Sequence, residues 1–366
     1  MAQFFLRRSL GAALLAFTIS LVGAGCTSTP QATEPSATTA ESPAASESAT
    51  LTPVKFTLSW MLQGLDAGLT QALAKGYFKE AGLDVTIERG FGSADSISKV
   101  AAGQYDIGEG DIYAMMEFNE KNPDNQLVAV AIKFNKSPLA IVSLAETGIT
   151  DPKGLEGKTL AAPAGDGARR LFPVFASVTG IDPNKVTWTN VDPKLRETLL
   201  SKGEFDGISC FSTSCIPPLG KMGHPPDKLN VFYYNNFGLE LYGNALIVRR
   251  AFLEEKPEVV RGFVQAYLRG LKETIQNPDA AFATVAQYAE GGVFDEALER
   301  QRLQLALDTL MVSPEVQANG VGGVDTVRLE KTIAQVVEGF GLTKTPTAAE
   351  VFNDSMLPPK EERLLN

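Results

Sequence analysis

From residue 54 to residue 211, short apolar segments of strand period alternate with amphipathic segments of helical period. VKFTLSW (54–60) alternates apolar and polar positions and predicts a strand ending at Trp60. Ala67, Leu69, Ala72, Leu73 and Tyr77 then recur at helical spacing until AGL at 81–83, and LDVTIERG (83–90) predicts a second strand. GFGSADSISKVAAGQYDIGEGD (90–111) carries a turn at Gly92 and Ser93, then a helix through Ile97, Val100 and Ala101. It stops at Gly103 and ends in a short strand around 105–108. LVAVAIKF (127–134) and PLAIVSL (138–144) are apolar almost throughout, as strands covered on both faces are.

The same order returns downstream. A strand at 158–162 leads through a glycine-rich turn into a helix whose apolar face carries Leu171, Phe172, Phe175 and Val178. VTWTNV (186–191) predicts a strand, LRETLLSKG (195–203) a helix and FDGISCF (205–211) another strand. Alternating strands and helices predict an α/β fold with ligands at the carboxyl ends of the strands. The repeated order suggests two similar lobes in place of one large sheet. From Pro257 the pattern becomes helical, with Val259, Val260, Phe263, Val264, Tyr267, Leu268, Leu271 and Ile275 on one stripe. Further helical segments at about 279–289, 295–311 and 325–339 are expected on the outside of a lobe.

The 366 residues suffice for two cores, and 44% hydrophobic with 21% charged residues is an ordinary globular balance. A formal net charge of −10 argues against nucleic acid as a partner, and no basic run marks a membrane patch. Residues 1–26 read as a targeting segment, with Arg7 and Arg8 before SLGAALLAFTISLV, an apolar run of signal-peptide length. The run ends in GAGC at 23–26, small residues before a lone cysteine, which resembles a bacterial lipoprotein signal with Cys26 acylated. Gly23 departs from the usual leucine of such signals; a plain secretory signal is the alternative. Residues 27–52, almost all Ser, Thr, Ala, Pro, Glu and Gln, are expected to form a disordered leash. The reading is an exported protein, periplasmic or at the cell surface, held to a membrane by its N-terminal lipid.

The candidate chemistry is that of binding. GFGSAD lacks the third glycine of a dinucleotide loop, and no ribose-binding acid follows. What remains is a helix N-terminus with Ser93 and Asp95, a ligand site or simply a cap, and Asp111 beyond the next strand. Trp60 is a candidate stacking platform, its alternative being a core or lobe-interface position, and Gln63 and Asp66 follow it in a loop. Gly165, Asp166 and Gly167 open the helix of the second half as a candidate anion site, with Arg169 and Arg170 beside it. Asn190, Phe211 and Ser212 stand at strand ends, whereas Trp188 fits a core position better. Cys210 and Cys215 frame FSTS, either a disulfide or two free thiols. Their spacing, without partner His or Cys, is poor evidence for a metal, and no cofactor is expected. His224, the sole histidine, lies in a proline-rich loop with no recognisable triad partner, which counts against catalysis.

GYFKEAGLDVTI (76–87), GSADSISKVAAGQYDIGEGD (92–111), KSPLAIVSL (136–144), the segment at 149–191 and YGNALIVRRAFLEEKPEVVRGFVQAYLRGLKETIQNPDAA (242–281) resemble solute-binding proteins of bacterial ABC importers. The resemblance is to the group that takes thiamine precursors, sulfonates, taurine and nitrate. It implies a type II periplasmic-binding-protein fold, two α/β lobes joined by two crossing segments near 140–146 and 238–245, with the C-terminal helices packed on the first lobe. The first lobe would then comprise 53–142 and 242–345, the second 143–241, and 346–366 a tail. It also implies a monomer that captures a small-molecule ligand and hands it to a permease and its ATPase. Asp66, Asp95 and Asp111 favour a neutral or amino-bearing nitrogen heterocycle such as a thiamine-type pyrimidine, whereas the 165–168 turn with Arg169 and Arg170 suits a sulfonate or nitrate. The expectation leans to the heterocycle. Eukaryotic relatives of this fold synthesise the thiamine pyrimidine, but their cysteine-rich iron motif is missing here, the nearest match being CFSTSC.

Overall fold

A computed structural model describes residues 50–289 and 294–365, so the signal segment, Cys26 and nearly all of the leash lie outside the described residues. The first sheet is built from β1 (Thr52–Thr57), β2 (Leu83–Glu88), β3 (Ile107–Asp111), β4 (Leu127–Ile132) and a late strand, β10 (Asn244–Arg249). The second comprises β5 (Leu139–Leu144), β6 (Thr159–Ala161), β7 (Thr187–Thr189), β8 (Gly207–Phe211) and β9 (Leu229–Tyr233). Their strand orders, β2-β1-β3-β10-β4 and β7-β6-β8-β5-β9, are the same plan executed twice. In each sheet three parallel strands are followed by an antiparallel one that has just crossed from the other lobe.

The Asp-led strands explain the shared register. Asp106 accepts a hydrogen bond from the Lys55 amide at 2.8 Å, and Asp206 accepts one from the Thr159 amide, also at 2.8 Å. Each aspartate thus pins the start of one strand, β3 or β8, to its parallel neighbour, β1 or β6. β4 and β5 are buried at every position, the apolar runs read as double-sided strands. The chain crosses between lobes at 133–138 and 234–243. The first crossing precedes the expected 140–146, because 139–144 is wholly a strand of the second sheet, hydrogen-bonded to β8 and β9.

The first lobe carries α1 (Ala67–Ala74), α2 (Tyr77–Glu80), α3 (Ser93–Ala101) and α4 (Ile112–Lys121), the second α5 (Gly167–Thr179), α6 (Arg196–Ser201) and α7 (Ser212–Lys221). Gly108 and Gly110 let α3 lie directly on β3: a Cβ at either would stand 2.6–2.9 Å from the Val100 or Ile97 side chain. The helical C-terminal part runs through α8 (Arg250–Glu255), α9 (Pro257–Gln276), α10 (Pro278–Val285), α11 (Glu296–Ala306), α12 (Pro314–Asn319), α13 (Thr326–Phe340), α14 (Ala348–Val351) and α15 (Lys360–Arg363).

α9 and α10 cover the first lobe as expected of the C-terminal helices, but two later helices also reach the second lobe. α11 reaches α7, and α13 packs along α5. The reason is the apolar face of α13: Leu329, Ile333 and Val336 complete a core shared with Leu171, Phe172, Val174 and Phe175. Residues 346–366, read as a tail, include α14 and α15, and Phe352 bridges to Ala129 of β4.

Candidate ligand-binding cleft

Where the strand ends of the two lobes face each other, a narrow cavity of about 20 Å³ is lined by Ser59, Trp60, Gly92, Ser93, Asp166, Gly167, Arg196, Phe211 and Ser214. Trp60 and Phe211 supply aromatic surface and the three serines supply hydroxyls. β1 ends at Thr57, a few residues short of the predicted end, so Trp60 sits in the loop beyond the strand.

Ser93 does not cap its helix. Gly92 is the N-cap, at φ 119°, and its amide donates to the Ser59 carbonyl at 2.8 Å. The Ser93 hydroxyl is free to donate to Asp111 Oδ2 at 2.6 Å, directly behind the cavity wall. Asp111 is fully buried, and its Oδ1 has no hydrogen-bond partner, nor has the neighbouring Tyr113 hydroxyl. Burial pushes the Asp111 carboxyl up to about 7, against the Ser93 hydroxyl that favours its charged form.

On the facing lobe Asp166 caps α5 through the Arg169 amide at 2.9 Å. It also accepts from the Ser209 hydroxyl at 2.8 Å and pairs with Arg196 at 3.1 Å. The helix N-terminus expected to bind an anion is therefore served by the protein's own carboxylate. Arg196 is nearly inaccessible, holds Glu197 at 2.5 Å as well as Asp166, and faces the Trp60 ring at 5.4 Å. Burial opposes its charge, but Glu197 and Asp166 outweigh burial and hold its pKa above the ordinary value. The Asp166 carboxyl stays raised by burial in spite of Arg196.

Of the predicted site residues, Trp60, Ser93, Asp166, Gly167 and Phe211 converge on the cavity. Gln63 is buried and accepts from the Ser214 hydroxyl at 2.7 Å across the lobes. Gly165 meets Gly92, its carbonyl oxygen lying 2.2 Å from where a Cβ of residue 92 would stand. Others point elsewhere. Asp66 is buried in an ion cluster with Lys133. Asp95 is half-buried, pairs with Lys99 at 2.8 Å and accepts from the Phe91 amide at 3.2 Å. Asn190 accepts from the Ala164 amide at 2.7 Å and shapes the turn. Ser212 opens α7 but does not line the cavity.

Neither predicted arginine reaches the cavity. Arg169 donates to the Ala162 carbonyl at 2.8 Å, and Arg170 pairs with Glu117 of α4 at 2.5 Å across the lobes. Trp188 is half-buried against Phe172, edge to face at 5.3 Å. Cys210 and Cys215 are joined by a disulfide, each next in sequence to a residue of the cavity lining, Phe211 or Ser214. His224 has a partner after all, the Ser201 hydroxyl at 2.9 Å from Nε2, but neither residue lines the cavity.

Sequence reasoning missed Ser59, Arg196 and Ser214. Arg196 carried a weak signal: a basic residue followed by Glu197 at the start of a helix, in the position that Ser93 and Asp95 occupy in the first lobe. Its burial had no signal, because it arises from β8 and the facing lobe.

Known proteins match this arrangement. The model of the family described as NMT1/THI5 like matches residues 66–281. A formylaminopyrimidine-binding protein of Halalkalibacterium halodurans is 26% identical, the match covering 84% of this chain and 92% of that protein. The riboflavin-binding protein RibY of Chloroflexus aurantiacus is 24% identical, covering 90% of this chain and 93% of its own. Among solved structures, the alkanesulfonate-binding protein SsuA of Xanthomonas axonopodis pv. citri superposes with a TM-score of 0.62 at 14% identity, over 85% of this chain and all of that one. With more than half its length matched by the family model, and with two like sheets closing on a cavity between their strand ends, the chain belongs to the NMT1/THI5-like family and has the two-lobed fold of type II periplasmic binding proteins.

Proposed function

We propose that this solute-binding protein of an ABC importer captures a small, uncharged or amino-bearing nitrogen heterocycle of the thiamine-pyrimidine kind. It holds the solute between its lobes, transforms nothing, and passes it as a monomer to a membrane permease and its ATPase. Export is in keeping with the fold, which is that of type II periplasmic binding proteins. The GAGC sequence at 23–26 and the polar leash support tethering through a lipid on Cys26.

The charge arrangement carries the choice of ligand. The cavity's guanidinium, Arg196, is already held by Asp166 and Glu197, while Asp111 lies behind Ser93 as a further acid. A sulfonate or nitrate entering there would meet no unspent cation, and Arg169 and Arg170 are engaged elsewhere. An N–H-bearing ring meets acceptors and hydroxyls, with the Trp60 and Phe211 rings for stacking. The names of the formylaminopyrimidine- and riboflavin-binding relatives point to heterocycles too.

Thermal unfolding of the purified protein with 4-amino-2-methylpyrimidines on one side and taurine, alkanesulfonates and nitrate on the other tests this. A ligand present at about 100 times its Kd adds about 2.7 kcal/mol. The pyrimidines are expected to raise the Tm, and Trp60→Ala to weaken their binding by about 1–3 kcal/mol through lost stacking, read by calorimetry. A Tm that responds to the anions alone overturns the heterocycle and leaves the importer role intact.

A further inference from the structure

Two glycines of the cavity lining face the opposite lobe, and only one has a local reason to be glycine. Gly92 adopts φ 119°, a conformation that side chains disfavour, so its own turn requires it. Gly167 is not among the glycines of positive φ, and it stands at the first position of the 13-residue helix α5. There glycine is locally worse than alanine, because it loses more backbone freedom on folding. What explains it lies across the cleft. A Cβ at 167 would stand 2.2 Å from Asp111 Oδ2, 3.3 Å from the Asp111 carboxyl carbon and 3.0 Å from the Tyr113 hydroxyl.

We propose that Gly167 sets the depth to which the two lobes close, because a position without Cβ lets the first turn of α5 seat directly on Asp111 of the opposite lobe. The receiving surface has little room to yield: Asp111 and Tyr113 are fully buried, and Oδ2 is held by the Ser93 hydroxyl. One turn further along α5, Arg170 pairs with Glu117 of α4, so the same two helices are drawn together beside the seam. The Gly92–Gly165 approach forms its other side, backbone against backbone. Closure depth fixes the gap between Trp60 and Phe211, so Gly167 limits the size of solute that the closed protein encloses.

Small-angle scattering on the protein alone tests this, and the identity of the solute does not enter. Gly167→Ala is expected to raise the radius of gyration. Gly220→Ala, on α7 of the same lobe and facing open space, leaves it unchanged. Asp111→Ala combined with Gly167→Ala returns it toward the wild-type value, since the main obstruction to the new methyl is gone. Hydrogen exchange separates closure from folding: in Gly167→Ala the amides at 92–96 and 111–113 exchange faster while those of β6 and β8 keep their protection. Wild-type scattering from Gly167→Ala, failure of the double variant to recover, or equal loss of protection in β6 and β8 overturns the proposal.

Discussion

In the first lobe Lys133 lies between Asp66 and Glu109; in the second, Arg196 lies between Asp166 and Glu197. Both cations are nearly inaccessible, and in each case carboxylate attraction outweighs burial and raises the cation's pKa. Their surroundings separate them. Glu109 lies 2.9 Å from Lys133 and also accepts from the Tyr267 hydroxyl at 3.3 Å, inside the lobe and away from the cavity lining. Burial keeps the Glu109 carboxyl raised even so. A lysine suits that place: a compact ammonium with three donors fits a closed acidic nest. Arg196 spends the edge of its guanidinium on two carboxylates and turns toward Trp60 at the cavity wall. One device, a cation between two acids, thus serves as a structural pin in one lobe and as part of the cleft in the other.

The largest expected effect breaks the pin. Lys133→Met leaves two buried carboxylates unpaired and should cost about 3–5 kcal/mol, read as a lowered Tm. Arg196→Met should cost less stability, because Asp166 keeps the Ser209 hydroxyl and the Arg169 amide, but it should lose solute affinity. If the two variants lose equal stability, the contrast between pin and cleft is wrong.

Next in size is the acid that belongs to neither cluster. The Asp111 carboxyl is raised in the folded protein, chiefly by burial and also by Asp166 and Glu109, so the folded state holds the proton more tightly than the unfolded one. Its contribution is present below about pH 4 and is lost as pH rises toward 7, by up to about 4 kcal/mol. Asp111→Asn should therefore melt above wild type at pH 8, with the difference shrinking toward pH 4. A difference that stays constant across that range would contradict the assignment. The smallest effect sharpens the comparison from outside. Lys221 and Asp295 also pair across the lobes, but both are about two-fifths exposed, and Lys221→Ala should not move the Tm measurably.

The two-lobed plan was legible because it rests on local and periodic signals. The apolar runs of β4 and β5 and the glycines that stop helices lie within a few residues of what they determine. The cleft was half legible. Trp60, Ser93, Asp166, Gly167 and Phe211 follow from the rule that ligands gather at strand ends and helix starts. Asp66 and Asp95 fit the same rule and yet turn away, one to Lys133 and one to Lys99. Sequence position does not say which partner a carboxylate finds.

By itself, then, the sequence determined the elements, their duplicated order and the loops that face the cleft, because strand period, helix period and turn chemistry are properties of neighbouring residues. Only the tertiary structure decided which charges cancel, that α13 belongs to the second lobe as well as the first, and that Gly167 presses on Asp111. Each of those depends on contacts between different elements of the chain, which are set by packing and by closure.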